Sequence, residues 1–524
     1  MKRLKIEILV LGILIGITLA GAVPSAIGKL SNAYEFFDTV VDVRGEVVRN
    51  FVEVPDEELM LNGAIRGMLE VLGDEHTSYL PPRSLESFDK ATRGTFSGIG
   101  AEITQEDGMI KIVTPLEDSP AYKAGILAGD VVLTVDGTDV SGMSTEEAVD
   151  HITGPEGTEV VLTVRHTTGE EVEIPIIRGR IEMQTVKGFA RDATHHWRYM
   201  LDEEAGIGYV RISQFSDPTA DALLSAINEM NSAGMKGLII DLRNNPGGLL
   251  NQAIEISDMF LSEGTIVSTQ GRNSPEQKWM AEGGTTLGDF QIIAMVNESS
   301  ASASEILSGA LKDNDRAIVL GERSFGKGSV QQVLKVGRGA VKVTTALYYL
   351  PSGRSLHRKN NSEVWGVDPT DGFYVPMTIE QQRDMMLARR EADVLRTIDG
   401  DAAPSTVSAE WVEENWKDIQ LAKAIEAMHS RLETGEWVAV GESNATLMAF
   451  VSQKSELQRQ RDFLSERLAE VNSELSELDR KVAAGEEIES TKASGDAATT
   501  FELDEQTIQR LENAAQELED VEQP

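Results

Sequence analysis

The sequence contains no cysteine, and this absence excludes several kinds of chemistry. Without thiols the chain cannot form disulfides, bind a metal through thiolate ligands or use a cysteine nucleophile. Basic residues are also scarce, since 48 Lys and Arg stand against 86 Asp and Glu and leave a formal net charge of −38. A surface this acidic repels a phosphate backbone, so we do not expect nucleic acid as a partner.

The amino terminus combines a basic stretch with a nearly unbroken apolar run from Ile6 to Ala22, which ends in small residues. This order is typical of an export signal, and the run is also long enough to remain as a membrane anchor. We assign residues 1–25 to one of these two functions. The rest of the chain is expected to be exported to the periplasm or cell envelope, either released or anchored to the inner membrane by residues 6–22.

The chain of 524 residues is too long for one hydrophobic core, and its sequence pattern changes along its length. Helical periodicity gives way to short glycine-punctuated strands, then to strands alternating with helices, and finally to charged helical sequence. We predict a multidomain α/β plus β fold. Its parts are a helical region at 34–92, a partly open β-barrel at 94–180, an α/β core with a mainly parallel sheet at 181–376, and an acidic helical extension at 377–524.

Apolar residues recur at alternating steps of three and four within segment 447–482 of the extension. The seam consists of Leu457, Leu464, Leu468, Val471, Leu475, Leu478 and Val482. This spacing is compatible with two interpretations, a coiled coil that would make a homo-oligomer and a helix that lies on its own protein.

Three strands of the predicted parallel sheet are followed by segments suited to chemistry. The strand–segment pairs are GLIIDL with RNNPGG, QIIAMV with NESSASASE, and AIVL with GERSFGKGSVQ. Reactive groups collect beyond the carboxyl ends of parallel strands, so we expect the three segments to meet at one rim. They would supply the backbone amides of Gly247 and Gly248, serine hydroxyls at a helix start, and the amine of Lys327.

A serine hydroxyl becomes a good nucleophile only when a neighbour takes its proton, and no histidine lies near these segments in the sequence. Lys327 is the remaining base, provided that a dry pocket lowers its pKa by about three units. Its neighbours Phe325, Gly326 and Gly328 permit such a pocket.

A phosphate-binding loop is the competing interpretation of the same lysine, because residues 321–328 come within one position of G-x-x-x-x-G-K-[ST]. A phosphate loop requires a helix directly after its lysine. The sequence SVQQVLKV that follows Lys327 has the pattern of a strand, which argues against nucleotide binding.

With these motifs in order, the chain resembles the carboxyl-terminal processing, or tail-specific, Ser/Lys peptidases of family S41. The motifs are SGIGAEI with SPAYKAGILAGDVVLTVDG, DLRNNPGG, SSASASEI and GERSFGKGSVQ, and the resemblance covers roughly residues 35–376. It implies that the partly open barrel is a PDZ domain and that the α/β core is a ClpP/crotonase-like protease core.

The resemblance implies a role for each residue of the rim. Ser302 would be the nucleophile, Lys327 its general base, and Gln331 the residue that orients the lysine. The amide of Ala303, with that of Gly247 or Gly248, would hold the oxyanion. The expected activity is that of an exported serine endopeptidase that forms an acyl-enzyme while processing or degrading envelope proteins, and we expect no cofactor and no metal.

The PDZ region is expected to bind the C-termini of substrate proteins and peptides. Ser97, Gly98, Ile99 and Gly100 would form the loop that binds the terminal carboxylate, and the strand after it would accept the peptide as an added strand. Ile99 would line the pocket for the last side chain, together with Ala148 and Val149.

Two positions depart from the family pattern, since Thr153 stands where relatives often have arginine and Glu159 where they often have lysine. Gating of the protease by the PDZ domain therefore stays open, as does delivery of substrate by an adaptor protein. The alternative function is a non-catalytic scaffold, in which the PDZ domain binds C-termini and the heptad seam assembles chains.

Overall fold

The computed structural model describes residues 37–447, apart from 193–194, 284–286, 360–361, 363, 395–403 and 405, and five single residues beyond Leu447. The segment assigned to a signal or anchor, 1–25, lies outside the described residues. Of the heptad seam only Leu457 and Leu468 are described, and both are helical and exposed. Within the described residues, no helix combines the length and the apolar character needed to cross a bilayer.

The amino-terminal part of the described chain is helical, as its apolar spacing predicts. Its elements are α1 (37–50), α2 (Glu57–Glu70), β1 (Ser78–Leu80) and α3 (Pro82–Arg93). Helix α2 begins at Asp56, whose side chain accepts hydrogen bonds from two amides of the first turn. Strand β1 pairs with the long strand 339–349 of the α/β core, so the amino-terminal region is joined to that core by backbone hydrogen bonds.

The PDZ region forms an open sheet and not a closed barrel. Its elements are β2 (Thr95–Gly98), β3 (Ala101–Glu106), β4 (Met109–Pro115), α4 (Pro120–Ala124), β5 (Val131–Val135), β6 (Thr138–Asp139), α5 (Thr145–Ile152), β7 (Glu159–Arg165), β8 (Glu171–Ile177) and β9 (Gly179–Glu182). The strands run in the order β3-β4-β5-β7-β8, with β6 beside β5 and a separate β2–β9 pair. Ser144 and Glu147 form a capping box that fixes the start of α5.

The α/β core follows the predicted alternation of strands and helices. Its elements are β10 (Val186–Lys187), β11 (Ala190–Arg191), β12 (Trp197–Arg198), β13 (Met200–Asp202), β14 (Ile207–Ile212), α6 (Thr219–Ser232), β15 (Gly237–Asp241), α7 (Leu250–Phe260), β16 (Thr265–Gln270), β17 (Gln277–Met280), β18 (Gln291–Val296), α8 (Ala303–Asp313), β19 (Ile318–Gly321), β20 (Ser329–Val336) and β21 (Gly339–Tyr349). Strands β14, β15, β18 and β19 are parallel neighbours in that order. The carboxyl ends of β15, β18 and β19 therefore lie at one edge of the sheet.

The helices after Met377 belong to the same compact unit as the core. They are α9 (Ile379–Asp393), α10 (Ala409–Trp416) and α11 (Ile419–Thr434). Helix α11 packs against the central sheet, where Ile425 and Met428 share a buried cluster with Ile239 and Ile293. The compact unit therefore includes α9, α10 and α11 as well as the α/β core.

A buried ionic cluster joins the end of β15 to the start of α11. Arg243 Nη2 donates to Asp241 Oδ2 at 2.7 Å and to Asp418 Oδ2 at 2.8 Å, and all three side chains are almost inaccessible to solvent. Burial works to raise the pKa of Asp241, but the charge and hydrogen bonds of Arg243 hold it below its usual range. Asp418 also accepts a hydrogen bond from the Leu421 amide as the N-cap of α11.

We expect Asp418→Asn to destabilise the protein by about 3 kcal/mol, because it leaves the buried Arg243 charge with one carboxylate while keeping an acceptor at the N-cap. Urea unfolding of the full chain measures the change. The matched control is Glu426→Gln in the exposed Lys423–Glu426 pair, where a loss of no more than about 0.5 kcal/mol is expected. Equal effects of the two substitutions would contradict a structural role for the buried cluster.

Candidate active site

Ser302 lies between β18 and α8 and is held in an uncommon backbone conformation. Its φ of 55° and ψ of −111° fall in a region that costs a residue other than glycine about 1–3 kcal/mol. The Ser302 amide donates to Glu305 Oε2 at 2.7 Å, and the residue is only 9% exposed. The serine therefore stands at the start of a helix, where the free amides and the positive end of the helix dipole favour a developing negative charge.

Glu305 is fully buried and connects the serine segment to the lysine segment. Its Oε2 accepts from the amides of Ser302 at 2.7 Å and Lys327 at 2.9 Å, and its Oε1 accepts from Ser324 Oγ and the Gly326 amide, both at 2.6 Å. Burial raises the pKa of Glu305 to about 7, although these four hydrogen bonds favour its charged form. A single carboxylate thus fixes the backbone of both candidate catalytic residues.

Lys327 lies in the loop between β19 and β20 and is partly buried. Burial lowers the pKa of Lys327, the charge of Lys342 lowers it further, and the Glu305 carboxylate opposes both. The described contacts of Lys327 and Ser302 do not include a hydrogen bond between their side chains. The sequence names Phe325 among the neighbours that permit a dry pocket around Lys327. In the structure this side chain is 45% exposed.

The glycine pair after β15 packs directly against the serine. A Cβ on Gly247 would lie 2.8 Å from Ser302 Cβ and 2.8 Å from the Ala303 nitrogen, and the φ of 96° also favours glycine there. The Gly247 amide is occupied by Asn245 Oδ1 at 2.8 Å. Of the two glycine amides, the one at Gly248 is therefore the better candidate for an oxyanion donor.

The orientation of Gly248 supports the same choice. The Phe215 amide donates to Gly247 O at 3.0 Å, and the Leu249 amide donates to Phe215 O at 2.8 Å. The Gly247 C=O and the Gly248 N–H belong to one trans peptide unit and point in opposite directions, so the Gly248 N–H points away from Phe215.

The three strand-end segments meet as the sequence predicts. The Ala301 amide donates to Asn245 O at 3.0 Å, and the Phe325 amide donates to Ser300 O at 3.0 Å. Strand β20 begins at Ser329, directly after the lysine turn, so this turn lacks the helix that a phosphate-binding loop requires.

Comparison with known proteins assigns the chain to a family. Residues 206–371 match the model of peptidase family S41, and residues 111–166 match that of the PDZ domain. The carboxy-terminal-processing protease of Bartonella bacilliformis is 41% identical over 332 residues, which are 62% of this chain and 73% of that protein. The chain belongs to the carboxy-terminal-processing proteases of peptidase family S41. It is therefore a serine-type peptidase with a PDZ domain, and the predicted family is confirmed.

Two further proteins are similar to this chain. The carboxy-terminal processing protease CtpA of Bacillus subtilis is 34% identical over 337 residues, which are 64% of this chain and 67% of that protein. Among solved structures, the photosystem II D1 C-terminal processing protease is 31% identical over 63% of this chain and 85% of its own, with a TM-score of 0.37.

In this S41 peptidase Gln331 contacts residues other than the lysine it is expected to orient. Its Nε2 donates to Ser329 Oγ at 2.7 Å and to Thr344 Oγ1 at 3.2 Å. Gln331 lies beside a register shift in the pairing of β20 with β21. Its orienting role stays a prediction, because a small movement of this irregular strand segment would change which group its amide reaches.

Two histidines lie near Lys327, although the sequence places none close to these segments. Burial lowers the pKa of His76, and the charge of Lys327 lowers it further. A Cβ on Gly328 would lie 2.8 Å from the Cβ of His357, so these two residues pack together. His76 comes from the turn before β1, which pairing with β21 carries to the site, and no local sequence signal indicates this.

Glu305 is the residue whose role the sequence interpretation missed, although a signal was present. It stands three positions after Ser302, where a glutamate commonly accepts a hydrogen bond from the N-cap amide of a helix. That pattern predicts the contact with Ser302. The contacts with Ser324, Gly326 and Lys327 depend on the packing of two loops and are not visible in the sequence.

The predicted PDZ pocket residues divide into buried and accessible ones. Ile99 and Ala148 belong to the PDZ core, whereas Val149 is 38% exposed. Within the described part of the chain, Ser97 Oγ is buried without a hydrogen-bond partner, and Gly98 pairs with Gly179 in the β2–β9 ladder. Their peptide-binding roles, including that of Gly100, stay predictions.

The end of α5 is held by the side chains of Thr153 and Arg178. The Thr153 hydroxyl donates to Val149 O at 2.7 Å, and Arg178 Nε donates to Ile152 O at 2.8 Å. Arg178 Nη1 also donates to Glu159 O at 3.0 Å. Arg178 thereby ties the end of α5 to β7.

The pKa of Glu305 predicts a pH dependence of stability. The folded pKa of about 7 exceeds the ordinary value of 4.5, so between these values the unfolded chain is charged at this residue and the folded chain is not. Stability is therefore lost as the pH rises from about 4.5 to 7, and we expect the advantage of the parent over Glu305→Gln to shrink by about 3 kcal/mol. Urea unfolding across this pH range measures it. Glu263→Gln, at an exposed position, is the control, and a constant difference between parent and Glu305→Gln would contradict the assignment.

Proposed function

We propose that the chain is an exported serine endopeptidase that recognises protein C-termini through its PDZ domain and cleaves peptide bonds with Ser302 and Lys327. The observation that carries the proposal is the shared carboxylate, since Glu305 binds the backbone amides of both residues. Export to the cell envelope is supported by the basic and apolar amino-terminal sequence. The envelope proteins that it processes or degrades would be recognised by their exposed C-termini.

In the proposed reaction, neutral Lys327 takes the proton of Ser302 Oγ as the oxygen attacks the carbonyl carbon of the scissile peptide bond. The amides of Ala303 and Gly248 stabilise the oxyanion of the tetrahedral intermediate, and each such donor is worth roughly 3 kcal/mol. The intermediate collapses to an acyl-enzyme while Lys327 returns its proton to the leaving amine. Lys327 then takes a proton from the water that attacks the ester, and returns it to Ser302 Oγ as the second tetrahedral intermediate collapses to the free carboxylic acid product.

The proton transfer requires the two side chains to approach each other. They are not hydrogen-bonded in this structure, whereas the backbone around them is already fixed by Glu305. We propose that bound substrate completes the dyad, because a peptide that covers the site removes water and moves only side chains. Gln331 would orient the lysine in that closed state.

We expect Ser302→Ala and Lys327→Ala each to reduce cleavage of an unfolded, disulfide-free protein by about 1,000-fold or more, because each removes one half of a unit. Gel electrophoresis and mass spectrometry of the products measure cleavage. Ser299→Ala and Lys335→Ala are matched controls at exposed positions and should retain parental activity. Either catalytic variant cleaving as well as the parent would overturn the dyad. Tail binding by a parent that never cleaves would favour the scaffold instead.

The pH dependence of cleavage tests whether Lys327 is the base. Activity should rise with pH as Lys327 loses its proton, at a pH below the ordinary value of 10.5. Lys342→Met removes a like charge that lowers this pKa, so its pH–rate profile should move to higher pH, whereas Lys335→Met should leave the profile in place. Profiles of kcat/KM provide the measurement. If the pH–rate profile of Lys342→Met is unchanged or moves to lower pH, the result would count against Lys327 as the base.

A further inference from the structure

A cavity of about 530 Å³ lies between the PDZ sheet, the protease core and helix α9. Its cationic side chains are Lys187, Arg191, Arg211, Arg243, Arg389 and Arg390, against the acidic side chains of Glu102, Asp241 and Asp393. This local excess of positive charge contrasts with the formal charge of −38 for the whole chain. A positive and partly enclosed wall attracts anions.

Arg243 and Arg389 belong to the buried ionic cluster around Asp241. Arg243 is held by Asp241 and Asp418 in the buried cluster. Arg389 hydrogen-bonds to the Tyr209 hydroxyl and lies 3.7 Å from Asp241. These contacts within the fold account for Arg243 and Arg389, so we do not assign either residue to ligand binding.

Arg211 and Arg191 each keep a donor that the fold does not use. Arg211 contacts both oxygens of Asp393 through one nitrogen, Nη2, at 2.6 and 2.5 Å, and its Nε is buried without a hydrogen-bond partner within the described residues. Arg191 Nη1 donates to Glu117 at 2.6 Å, and its buried Nε lacks an acceptor in the same part of the chain. A buried donor without an acceptor is unfavourable, so both guanidinium groups would gain from a carboxylate that rearranges their contacts and gives the Nε atoms an acceptor.

The cavity already contains one carboxylate of the chain itself. Asp393, in the last turn of α9, is shared by Arg211 and by Lys187, whose Nζ lies at 3.3 Å. A carboxylate at the carboxyl end of a helix is disfavoured by the helix dipole. The two cations offset that cost, and the contact shows that this wall can bind a carboxylate.

The apolar residues that line the cavity indicate what kind of molecule would bear the bound carboxylate. Phe96, Val113, Leu116, Met385 and Met386 give the cavity an apolar side. Methionine side chains adapt to ligands of different shape. A carboxylate on a partly apolar chain, as in a peptide, suits this combination better than a small hydrated anion does.

We propose that this cavity binds a carboxylate-bearing peptide segment through Arg211 and Arg191, and that the segment displaces Asp393 from Arg211. The loop Ser97–Gly100 does not line the cavity, so this site is separate from the predicted PDZ carboxylate loop. Asn244 does line it and hydrogen-bonds to Asn297 before the nucleophile segment, so an occupant would lie close to the catalytic rim. Binding at this site does not require the Ser302 chemistry.

The test uses the full-length chain carrying Ser302→Ala, so that fluorescently labelled peptides stay intact during anisotropy measurements. One apolar peptide is prepared with a free carboxyl terminus, as a carboxamide, and as a carboxamide with an internal glutamate. Asp393→Asn is expected to tighten binding of at least one carboxylate-bearing form about tenfold, because the internal competitor is removed, and Arg211→Gln to weaken it about tenfold. Glu171→Gln, in an exposed pair with Arg165, should change nothing.

The peptide forms identify the source of the carboxylate. A response of the free-terminus form identifies a C-terminal carboxylate, and a response of the glutamate form identifies an acidic side chain. The proposal is overturned if neither form responds to Asp393→Asn, or if the carboxamide without glutamate responds equally.

A second measurement covers the case in which Arg211→Gln does not fold. Asp393→Asn should have a lower melting temperature than the parent, and acetate should restore more of it than chloride at equal ionic strength. The parent should respond equally to the two salts. Equal responses in Asp393→Asn would overturn the proposal, because the vacated cations would then have no preference for a carboxylate.

Discussion

The buried carboxylate of Glu305 is the interaction on which the geometry of the candidate site depends. It accepts hydrogen bonds from backbone amides of both the serine and the lysine segments, so it fixes main-chain positions without binding the side chains of Ser302 and Lys327. Burying a carboxylate is costly unless its oxygens are hydrogen-bonded, and four donors offset part of that cost here, while burial still raises the pKa of Glu305. This arrangement reconciles a rigid frame with a serine and a lysine that are not yet in contact.

The parallel sheet supplies the second constraint, because it brings segments far apart in the sequence to one edge. Strands β15, β18 and β19 deliver the glycine pair, the serine and the lysine in spatial order. Helix α11 covers one face of this sheet and is joined to the end of β15 by the Arg243–Asp418 pair. Helix α11, which follows the segment that matches the family model, therefore supports one of the strand ends from which the site is built.

Much of this could be predicted from the sequence, for physical reasons that also set its limits. Strands β14 and β18 begin and end where their apolar runs do, and the meeting of the three segments follows from the rule that parallel strands share a carboxyl edge. The approach of His76 to Lys327 could not be predicted, since it depends on strand pairing between distant parts of the chain. Side-chain detail was also out of reach, as the contacts of Gln331 and the exposure of Phe325 show.

Burial, the charge of Lys342 and the carboxylate of Glu305 together set the pKa of Lys327. The sequence indicates a dry pocket, whereas the structure shows burial acting together with the like charge of Lys342 and against Glu305. Salt screens interactions between charges that face solvent but leaves the cost of burial largely unchanged. Because burial is the largest of the three effects, the pKa of Lys327 should stay mostly lowered at physiological ionic strength.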